Sequence, residues 1–343
     1  MSLNLGNQED RPAKELLFIG ANQDNSCVAV GTTKGFSIFV TDPYKRTVKR
    51  DVGGIGCVAM LYRCNILALV GGGDNPKFGS NKLILWDDIR NQPIGELPFK
   101  SEIKNVKIAK KTIAVVLENH IFLYDFQSLV KKAKLPTCKN PLGLVALAPT
   151  EDLNVAYPTE KLGEVCVHTD TNQNLTIQAH ESSIGCMSIN NNGTKLATAS
   201  LKGTLIRIWD TDSGQKLHEL RRGTERALIY SISFNTSSNL ICTSSDKGTI
   251  HVFSIEKDPA NTSVSVNNRK SKMKFLGGYF NSDWSFATFK GPQTPSICCF
   301  GREDNTIIIM TAEGYFYRVK FDAKKGGTCK QEKFIRFYSP SKE

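Results

Sequence analysis

The chain has 343 residues, of which 40% are hydrophobic and 22% charged, and its formal net charge is +11. This composition is typical of a soluble globular protein. No apolar run reaches the roughly 18 residues that span a bilayer, and the polar N-terminal stretch lacks the apolar core of a signal peptide. Together these features predict a cytosolic protein. The positive charge predicts an acidic partner, either nucleic acid, an anionic membrane or an acidic protein.

One pattern recurs along the chain: turn residues, often Lys-Gly, then an alternating apolar strand that ends near an acid. In chain order the copies are TTKGFSIFVTD (32–42), SNKLILWDD (80–88), ENHIFLYD (118–125), GEVCVHTD (163–170), LKGTLIRIWD (201–210), DKGTIHVFS (246–254) and AEGYFYRVKFD (312–322). A second strand signal precedes several copies, as in NSCVAVG (25–31) and TKLATAS (194–200). Period-two alternation of this kind indicates half-buried antiparallel strands.

The spacing of these copies predicts the fold class. The first five are separated by 38 to 48 residues, which brackets the WD40 period of about 40 to 45. Two copies, at Trp86-Asp87 and Trp209-Asp210, carry the WD dipeptide. Seven copies with about four short strands each predict an all-β, WD40-like, seven-bladed β-propeller that forms a single domain over residues 1–343.

Two stretches interrupt the repeat. VGGGDNPKFGSNK (70–82) is rich in glycine, but it lacks the Gly-Lys-Ser/Thr ending of a phosphate-binding loop and no helix signal follows it, so we predict a mobile loop. About 65 residues separate the sixth copy from the seventh. The polar and then basic segment 256–275 within this interval predicts an exposed loop in blade 6.

The ten cysteines do not suggest zinc or disulfides. Cys27, Cys57, Cys166, Cys186, Cys242 and Cys298 lie in apolar, strand-like runs, and no C-x-x-C pair occurs. We interpret them as buried free thiols of a protein in a reducing compartment. The five histidines are dispersed and no catalytic motif is present. The sequence therefore predicts neither an enzyme nor a metal or cofactor site.

The stretch HELRRGTERA (218–227) contains the strongest functional signal. Taken alone, two adjacent arginines before a glycine are typical of a solvated surface turn. Here they end the strand after the fifth repeat, which we expect to be the outermost strand of blade 5. Neighbouring side chains on a strand point to opposite faces, so Arg221 is predicted to face blade 5 and Arg222 blade 6.

Each of these two blades then supplies a set of polar side chains. Hydroxyls, a guanidinium and an imidazole are suitable donors for a phosphate monoester, and Gly223 is predicted to allow a sharp exit from the pocket mouth. The candidates are Ser200, Lys202, Thr204 and Arg207 on blade 5, and Ser244, Ser245, Lys247, Thr249 and His251 on blade 6.

With LRRG at 220–223, framed by ATASLKGTLIRIWDT and CTSSDKGTIHVFSI, the chain resembles the PROPPINs, the WIPI-like, autophagy-related propellers that bind phosphoinositides. The resemblance implies two rim sites for phosphatidylinositol 3-phosphate (PI3P) and phosphatidylinositol 3,5-bisphosphate (PI(3,5)P2). It assigns His180, Ser200, Gly203, Thr204, Arg207 and Arg221 to the first site, and Arg222, Ser244, Ser245, Lys247, Thr249 and His251 to the second, with Arg226 as a further contributor. It also implies a membrane-facing blade-6 loop, whose cations here are Arg269, Lys270, Lys272 and Lys274.

The resemblance further implies a peripheral protein on phagophore, endosomal or vacuolar membranes that acts as an effector or scaffold with autophagy proteins, and we expect a monomer. Two other readings of the sequence stay open. A generic WD40 scaffold that binds an acidic protein would not need the paired arginines. A nucleic-acid-binding protein is disfavoured, because the sequence lacks the interleaved aromatic and basic residues that stack bases.

Overall fold

In a computed structural model, which describes residues 2–6, 13–171, 174–255 and 283–339, the chain is all-β. Within these ranges, thirty strands form six sheets, numbered here in chain order. Sheet 1 contains β1 Ser2–Asn4, β2 Leu16–Ala21, β3 Cys27–Thr32, β4 Phe36–Thr41 and β5 Tyr44–Arg50. Sheet 2 contains β6 Ile55–Met60, β7 Ile66–Gly71, β8 Lys82–Asp87 and β9 Gln92–Pro98. Sheet 3 contains β10 Asn105–Ile108, β11 Thr112–Val116, β12 His120–Asp125 and β13 Lys131–Pro136.

Sheets 4 to 6 complete the molecule. Sheet 4 contains β14 Ala146–Leu147, β15 Asn154–Pro158, β16 Glu164–Thr169 and β17 Asn174–Gln178. Sheet 5 contains β18 Ile184–Ile189, β19 Lys195–Ser200, β20 Leu205–Asp210, β21 Lys216–Arg221 and β25 Asp283–Trp284. Sheet 6 contains β22 Ile229–Phe234, β23 Leu240–Ser245, β24 Thr249–Ser254, β26 Ala287–Lys290, β27 Ser296–Phe300, β28 Thr306–Thr311, β29 Tyr315–Asp322 and β30 Gly326–Arg336.

The prediction of seven separate blades is wrong, although the all-β propeller class holds. Five sheets have four or five strands, and sheet 6 has eight, in the order β22-β23-β24-β26-β30-β29-β28-β27. The two four-stranded halves of sheet 6 merge because β26 pairs in parallel with the start of β30, Ala287 with Gly327 and Thr288 with Thr328. Two glycines with positive φ, Gly326 and Gly327, permit this close approach, since a Cβ at Gly326 would lie 2.2 Å from the Phe286 carbonyl oxygen.

The repeated sequence pattern corresponds to the third strand of each four-stranded run: β4, β8, β12, β16, β20, β24 and β29. The acid near its end has a structural role in the turn that follows. Asp87, Asp125, Asp210 and Asp322 each accept two backbone N–H groups from the residues two and three positions ahead. These are Asx turns, in which the side chain replaces a backbone acceptor.

A ring of innermost strands surrounds a central channel. Each of β2, β6, β10, β14, β18, β22 and β27 contacts the next, and β27 contacts β2 in turn. The ring closes between sheets 6 and 1 through apolar packing, in which Leu16 and Val28 share a buried cluster with Met310 and Phe316. Across the same junction the Arg318 Nη1 atom lies 2.9 Å from the Asp42 carboxylate.

Residues 72–81 of the glycine-rich segment connect β7 to β8 as a loop, and the mobility of that loop stays a prediction. The predicted blade-6 loop, 256–275, lies outside the described residues, and the assignment of the whole chain to one domain stays a prediction. All ten cysteines are free and the six placed in apolar runs are buried, which confirms that part of the interpretation. Within the described ranges, no helix is long and apolar enough to cross a membrane.

Candidate functional site

The paired arginines lie where sheet 5 meets sheet 6. Strand β21 ends at Arg221, and the connection 222–228 leads to the innermost strand of sheet 6. The predicted outermost position of β21 is only partly correct, because β25 pairs with its end in parallel, Leu220 with Asp283 and Arg221 with Trp284. The junction is therefore formed by β21, its following connection, and the short strand that returns before β26.

Arg222 is buried, with a relative exposure of 6%. Its Nε atom donates to the Gly203 carbonyl oxygen at 2.9 Å, and its Nη2 atom donates to the Glu225 carbonyl oxygen. Burial lowers the pKa of Arg222, while the nearby Asp246 and Glu225 oppose that shift. The guanidinium thus links a turn of sheet 5 to acidic groups around sheet 6.

Arg221 is equally buried and lies opposite Leu205 in the register of β20 and β21. On the other side of β21, Arg221 pairs with Trp284 of the parallel strand β25. Arg221 is the last residue of β21 and Arg222 is the first residue of the connection that follows. Because Arg222 donates to the Gly203 carbonyl of sheet 5, the assignment of the two side chains to separate blades stays a prediction.

The first pocket gathers residues from the turn between β19 and β20. Ser200 is buried, and its Oγ atom accepts a 3.3 Å hydrogen bond from the Lys202 amide. Gly203 has a φ of +60° and its carbonyl receives Arg222. The Thr204 carbonyl accepts the backbone N–H of Arg222 at 3.0 Å. Arg222 is therefore held to the turn by two hydrogen bonds, one from its backbone N–H and one from its guanidinium.

Arg207, on β20, is half-buried beside this turn. Its Nε atom lies 2.9 Å from Glu219 Oε2, and its Nη1 atom donates to the Ala179 carbonyl at 2.7 Å. Lys216 also reaches Glu219, at 3.2 Å. Glu219 was missed by the sequence reasoning, although it lies opposite Arg207 in the strand register, and it places a negative charge beside a predicted phosphate site.

His180 has a clear structural role. Its Nε2 atom is 3.0 Å from Thr198 Oγ1, which also accepts the indole N–H of Trp209 at 2.9 Å. This buried His-Thr-Trp chain ties the connection before β18 to β19 and to the WD dipeptide of β20. Only Nδ1 of His180 then remains for a ligand.

The residues predicted for the second site repeat those of the first site, one sheet further on. Ser245 occupies the position of Ser200, Lys247 that of Lys202, and His251 that of Arg207, each in the corresponding strand or turn of sheet 6. The Ser245 Oγ atom is buried and has no hydrogen-bond partner among the described residues. An unpaired buried hydroxyl is energetically costly.

His251 and the residues around it complete the second pocket. His251 Nδ1 lies 3.2 Å from Ser285 Oγ, and Thr249 begins the same strand, opposite Lys290. Lys247 is exposed and lies 3.8 Å from Glu225. Ser285, which precedes β26, is a pocket residue that no sequence signal indicated.

Ser244 is not a pocket residue, contrary to the prediction. Its side chain is fully buried on the opposite face of β23, where Oγ donates to the Ser296 carbonyl at 2.6 Å and contacts Ser231 Oγ at 2.9 Å. The alternation of a strand accounts for this, since Ser244 and Ser245 point to opposite faces. Arg226, assigned with the second pocket, lines a cleft with Lys202 and Thr204 of the first.

The loop cations Arg269, Lys270, Lys272 and Lys274 lie outside the described residues. Gly223 does not have positive φ, and a Cβ there would meet nothing within 4 Å. Glycine is therefore not required by the backbone at this position. Among the described residues, no group of three or more His, Cys, Asp or Glu side chains is placed to hold a metal ion.

The pocket histidines predict an acid-sensitive fold. Burial, together with the positive charge of Arg207, lowers the pKa of His180 to about 4. Burial, together with the positive charge of Arg222, lowers the pKa of His251 to about 4 as well. An unfolded histidine titrates near 6.5, so the unfolded chain binds more protons below that pH and stability falls as pH decreases from about 6.5 to 4. At pH 5 we expect the free energy of unfolding to be lower by about 2 kcal/mol for each of these histidines.

Urea unfolding of wild type and His251→Gln at pH 7.5 and pH 5 measures this loss. If the stability of the two proteins depended equally on pH, His251 would not have a lowered pKa in the folded protein.

These features define a class: an all-β propeller with an Arg-Arg pair and a repeated set of hydroxyl and basic side chains where sheets 5 and 6 meet. The family model described as PROPPIN matches residues 16–288. The chain therefore belongs to the PROPPIN family, β-propeller binding proteins whose known property is phosphoinositide binding.

Related sequences span most of the chain. Autophagy-related protein 18e of Arabidopsis thaliana is 38% identical over 338 residues, which cover 95% of this chain and 88% of the relative. Autophagy-related protein 18 of Dictyostelium discoideum is 34% identical, with 93% and 92% covered.

Solved structures share the fold. Kluyveromyces lactis Hsv2 has a TM-score of 0.77 at 25% identity, with 93% of this chain and 98% of that chain covered. KlAtg21, solved in complex with the coiled coil of AgAtg16, has a TM-score of 0.74 at 24% identity, with 98% and 100% covered.

Proposed function

We propose that this protein binds PI3P and PI(3,5)P2 at two rim sites and acts as a peripheral membrane effector or scaffold in autophagy. The observation that carries the proposal is the duplicated pocket across Arg221 and Arg222, in which Ser245 keeps a buried hydroxyl without a partner among the described residues. Family membership supports the ligand class, and the chemistry of the pockets favours a dianionic phosphate.

The first site consists of Arg221, Arg207, Ser200, Gly203 and Thr204, with His180 reaching the ligand only through Nδ1. Arg226 belongs with this site, since it shares a cleft with Thr204. Lys202, in the same cleft, extends the positive surface. Phosphate oxygens replace part of the contact that Arg207 makes with Glu219.

The second site consists of Arg222, Ser245, Thr249 and His251, with Lys247 at its edge. Ser245 donates its hydroxyl to the phosphate, which gives that buried group the partner it lacks. Ser285 supports His251 from the far side. Because His251 is neutral at pH 7, one ring nitrogen acts as a donor and the other as an acceptor.

Two weak sites on one rim give useful membrane affinity. A Lys or Arg near an anionic surface contributes about 1 kcal/mol. A second pocket makes the second capture intramolecular, which raises avidity by about 10²–10⁴-fold. In this proposal the propeller stands edge-on to the membrane with sheets 5 and 6 downwards, and Arg269, Lys270, Lys272 and Lys274 add a further electrostatic contact.

The relatives support the cellular setting. Several matched proteins are named autophagy-related, and KlAtg21 was solved with a coiled coil of AgAtg16. We therefore propose autophagy proteins as partners and phagophore, endosomal or vacuolar membranes as the place of action, with the protein reaching them from the cytoplasm as a monomer.

Liposome co-sedimentation tests the ligand class. Vesicles that contain PI3P, PI(3,5)P2 or phosphatidylinositol 4-phosphate are compared at matched total charge. We expect the first two lipids to retain the protein and the third to leave it largely in solution. Equal binding to all three vesicles at matched charge would indicate that a basic surface binds anionic membranes without selecting the lipid. If the protein bound none of the three lipids, the protein-scaffold interpretation would be favoured.

Replacing Glu219 with glutamine is expected to strengthen binding to PI3P vesicles by about fivefold, since it removes one negative charge from the first pocket, about 1 kcal/mol near a membrane surface. Glutamine can still accept a bond from Arg207, so the pocket geometry is kept. Vesicle titration measures the effect, with Glu332→Gln, which pairs with Arg318 on sheet 6, as the charge-matched control. Unchanged or weaker binding by Glu219→Gln would remove Glu219 from the first site.

A further inference from the structure

The central channel contains a cavity of about 440 Å³ that is separate from the rim pockets. Strand β1 and the innermost strands β2, β6, β10, β14, β18 and β22 contribute to its wall. Its polar lining includes Ser2, Asn4, Gln23, Asn25, Asn105 and Tyr230. Lys107 is the one charged side chain among the described lining residues, and no Asp or Glu lines the cavity in that part of the chain.

Lys107 projects from β10, the innermost strand of sheet 3. Its Nζ atom donates to Ser2 Oγ at 2.8 Å, and Ser2 Oγ is 3.5 Å from Asn105 Oδ1. An ammonium group has three donors, and this is the single hydrogen bond that the described residues provide for it. No carboxylate of the described chain forms an ion pair with it, and burial lowers its pKa.

A lysine without a counter-charge in a channel wall is energetically unfavourable. Its ammonium keeps donors for an oxyanion, and Ser2 adds a hydroxyl beside it. The side-chain amides of Asn105 and Gln23 already donate to backbone carbonyls. The cavity volume falls at the small end of ligand sites, about 300–1,000 Å³. These dimensions fit a small solute and exclude the surface of a macromolecule.

We propose that the central channel binds a small, phosphate-sized oxyanion from solution, held by Lys107 and Ser2. This site lies on the axis of the ring, in sheets 1 and 3, whereas the rim pockets are formed by sheets 5 and 6. The bound anion supplies the missing counter-charge and ties strand β1 to β10. Occupancy of the channel is thereby linked to the stability of the ring and not to membrane binding.

The experiment uses the full chain with Arg221→Thr and Arg222→Thr, so that the rim pockets cannot contribute. Inorganic phosphate replaces chloride at constant ionic strength while thermal unfolding is followed. A ligand that binds only the folded state raises its stability by mass action, and we expect Tm to increase by about 2 °C or more. Adding Lys107→Met should abolish the increase, and Lys107→Arg should retain it.

The outcomes separate the two proposals. No phosphate-dependent rise in Tm, or the same rise with Lys107→Met, would overturn the channel site. Lys107→Met in the otherwise wild-type chain is expected to bind PI3P vesicles normally. If it instead lost vesicle binding while remaining folded, Lys107 would serve the lipid sites and the independent channel site would be wrong. If wild type failed to bind phosphoinositide vesicles, the proposed rim sites would be wrong, but the phosphate-dependent rise in Tm would still be expected.

Discussion

Changing Arg221 and Arg222 together to threonine is expected to weaken binding to PI3P vesicles by about 100-fold or more. Each pocket loses its central guanidinium, which supplies paired charge-assisted hydrogen bonds to phosphate. Because both pockets fail together, the avidity of two linked sites, about 10²–10⁴-fold, disappears as well. Vesicle co-sedimentation over a range of lipid concentrations measures the loss.

A control must remove the same charge elsewhere. Lys324 and Lys325 are both exposed, in the turn between β29 and β30, and only their backbone N–H groups bond to Asp322. Their change to threonine is expected to alter binding less than about fivefold at physiological salt, where distant surface charges are screened. Equal losses in the two double variants would mean that net charge, and not the pockets, retains the protein on the membrane.

Replacing Gly203 with alanine is expected to destabilise the fold by about 2–4 kcal/mol and to weaken lipid binding at both pockets. Gly203 has a φ of +60°, and a Cβ there would lie 1.8 Å from the Ala227 carbonyl oxygen. Both the left-handed backbone and the contact oppose a side chain. Since the Gly203 carbonyl accepts Arg222 Nε, displacement of the turn also moves that guanidinium. Urea unfolding and vesicle binding are measured on the same protein.

Gly223 is the matched comparison for this substitution. Its Cβ position is open and its φ is not positive, so Gly223→Ala should change stability by less than about 0.5 kcal/mol. If Gly203→Ala were as stable as Gly223→Ala, the turn would not be constrained as the structure indicates. If Gly223→Ala alone abolished lipid binding while the fold stayed intact, the glycine would be needed to keep the pocket mouth open.

The sequence predicted the class of fold because the repeat encodes local turn chemistry. Asp87, Asp125 and Asp322 bond to the backbone immediately ahead of them, so the pattern of a strand ending in an acid is readable without tertiary information. The position of the two arginines where sheet 5 leads to sheet 6 was likewise predicted from the order of the repeats. Both inferences depend on patterns within short stretches of sequence.

What could not be predicted depends on residues that are distant in sequence. The merging of two strand groups into one eight-stranded sheet requires Thr288 to meet Thr328. The orientation of Ser244 towards Ser296 depends on which face of β23 meets β27. Glu219 was predictable in part, since the register of a hairpin places it opposite Arg207; no local signal places Ser285 beside His251.

The most direct test of two rim pockets is the number of headgroups bound per chain. Isothermal titration with soluble, short-chain PI3P, in a Lys107→Met protein so that the channel does not contribute, reports this number without a membrane. The account predicts two headgroups per chain, and one after Arg222→Thr. A value of one before that change, or two after it, would contradict the assignment of Arg221 and Arg222 to separate pockets.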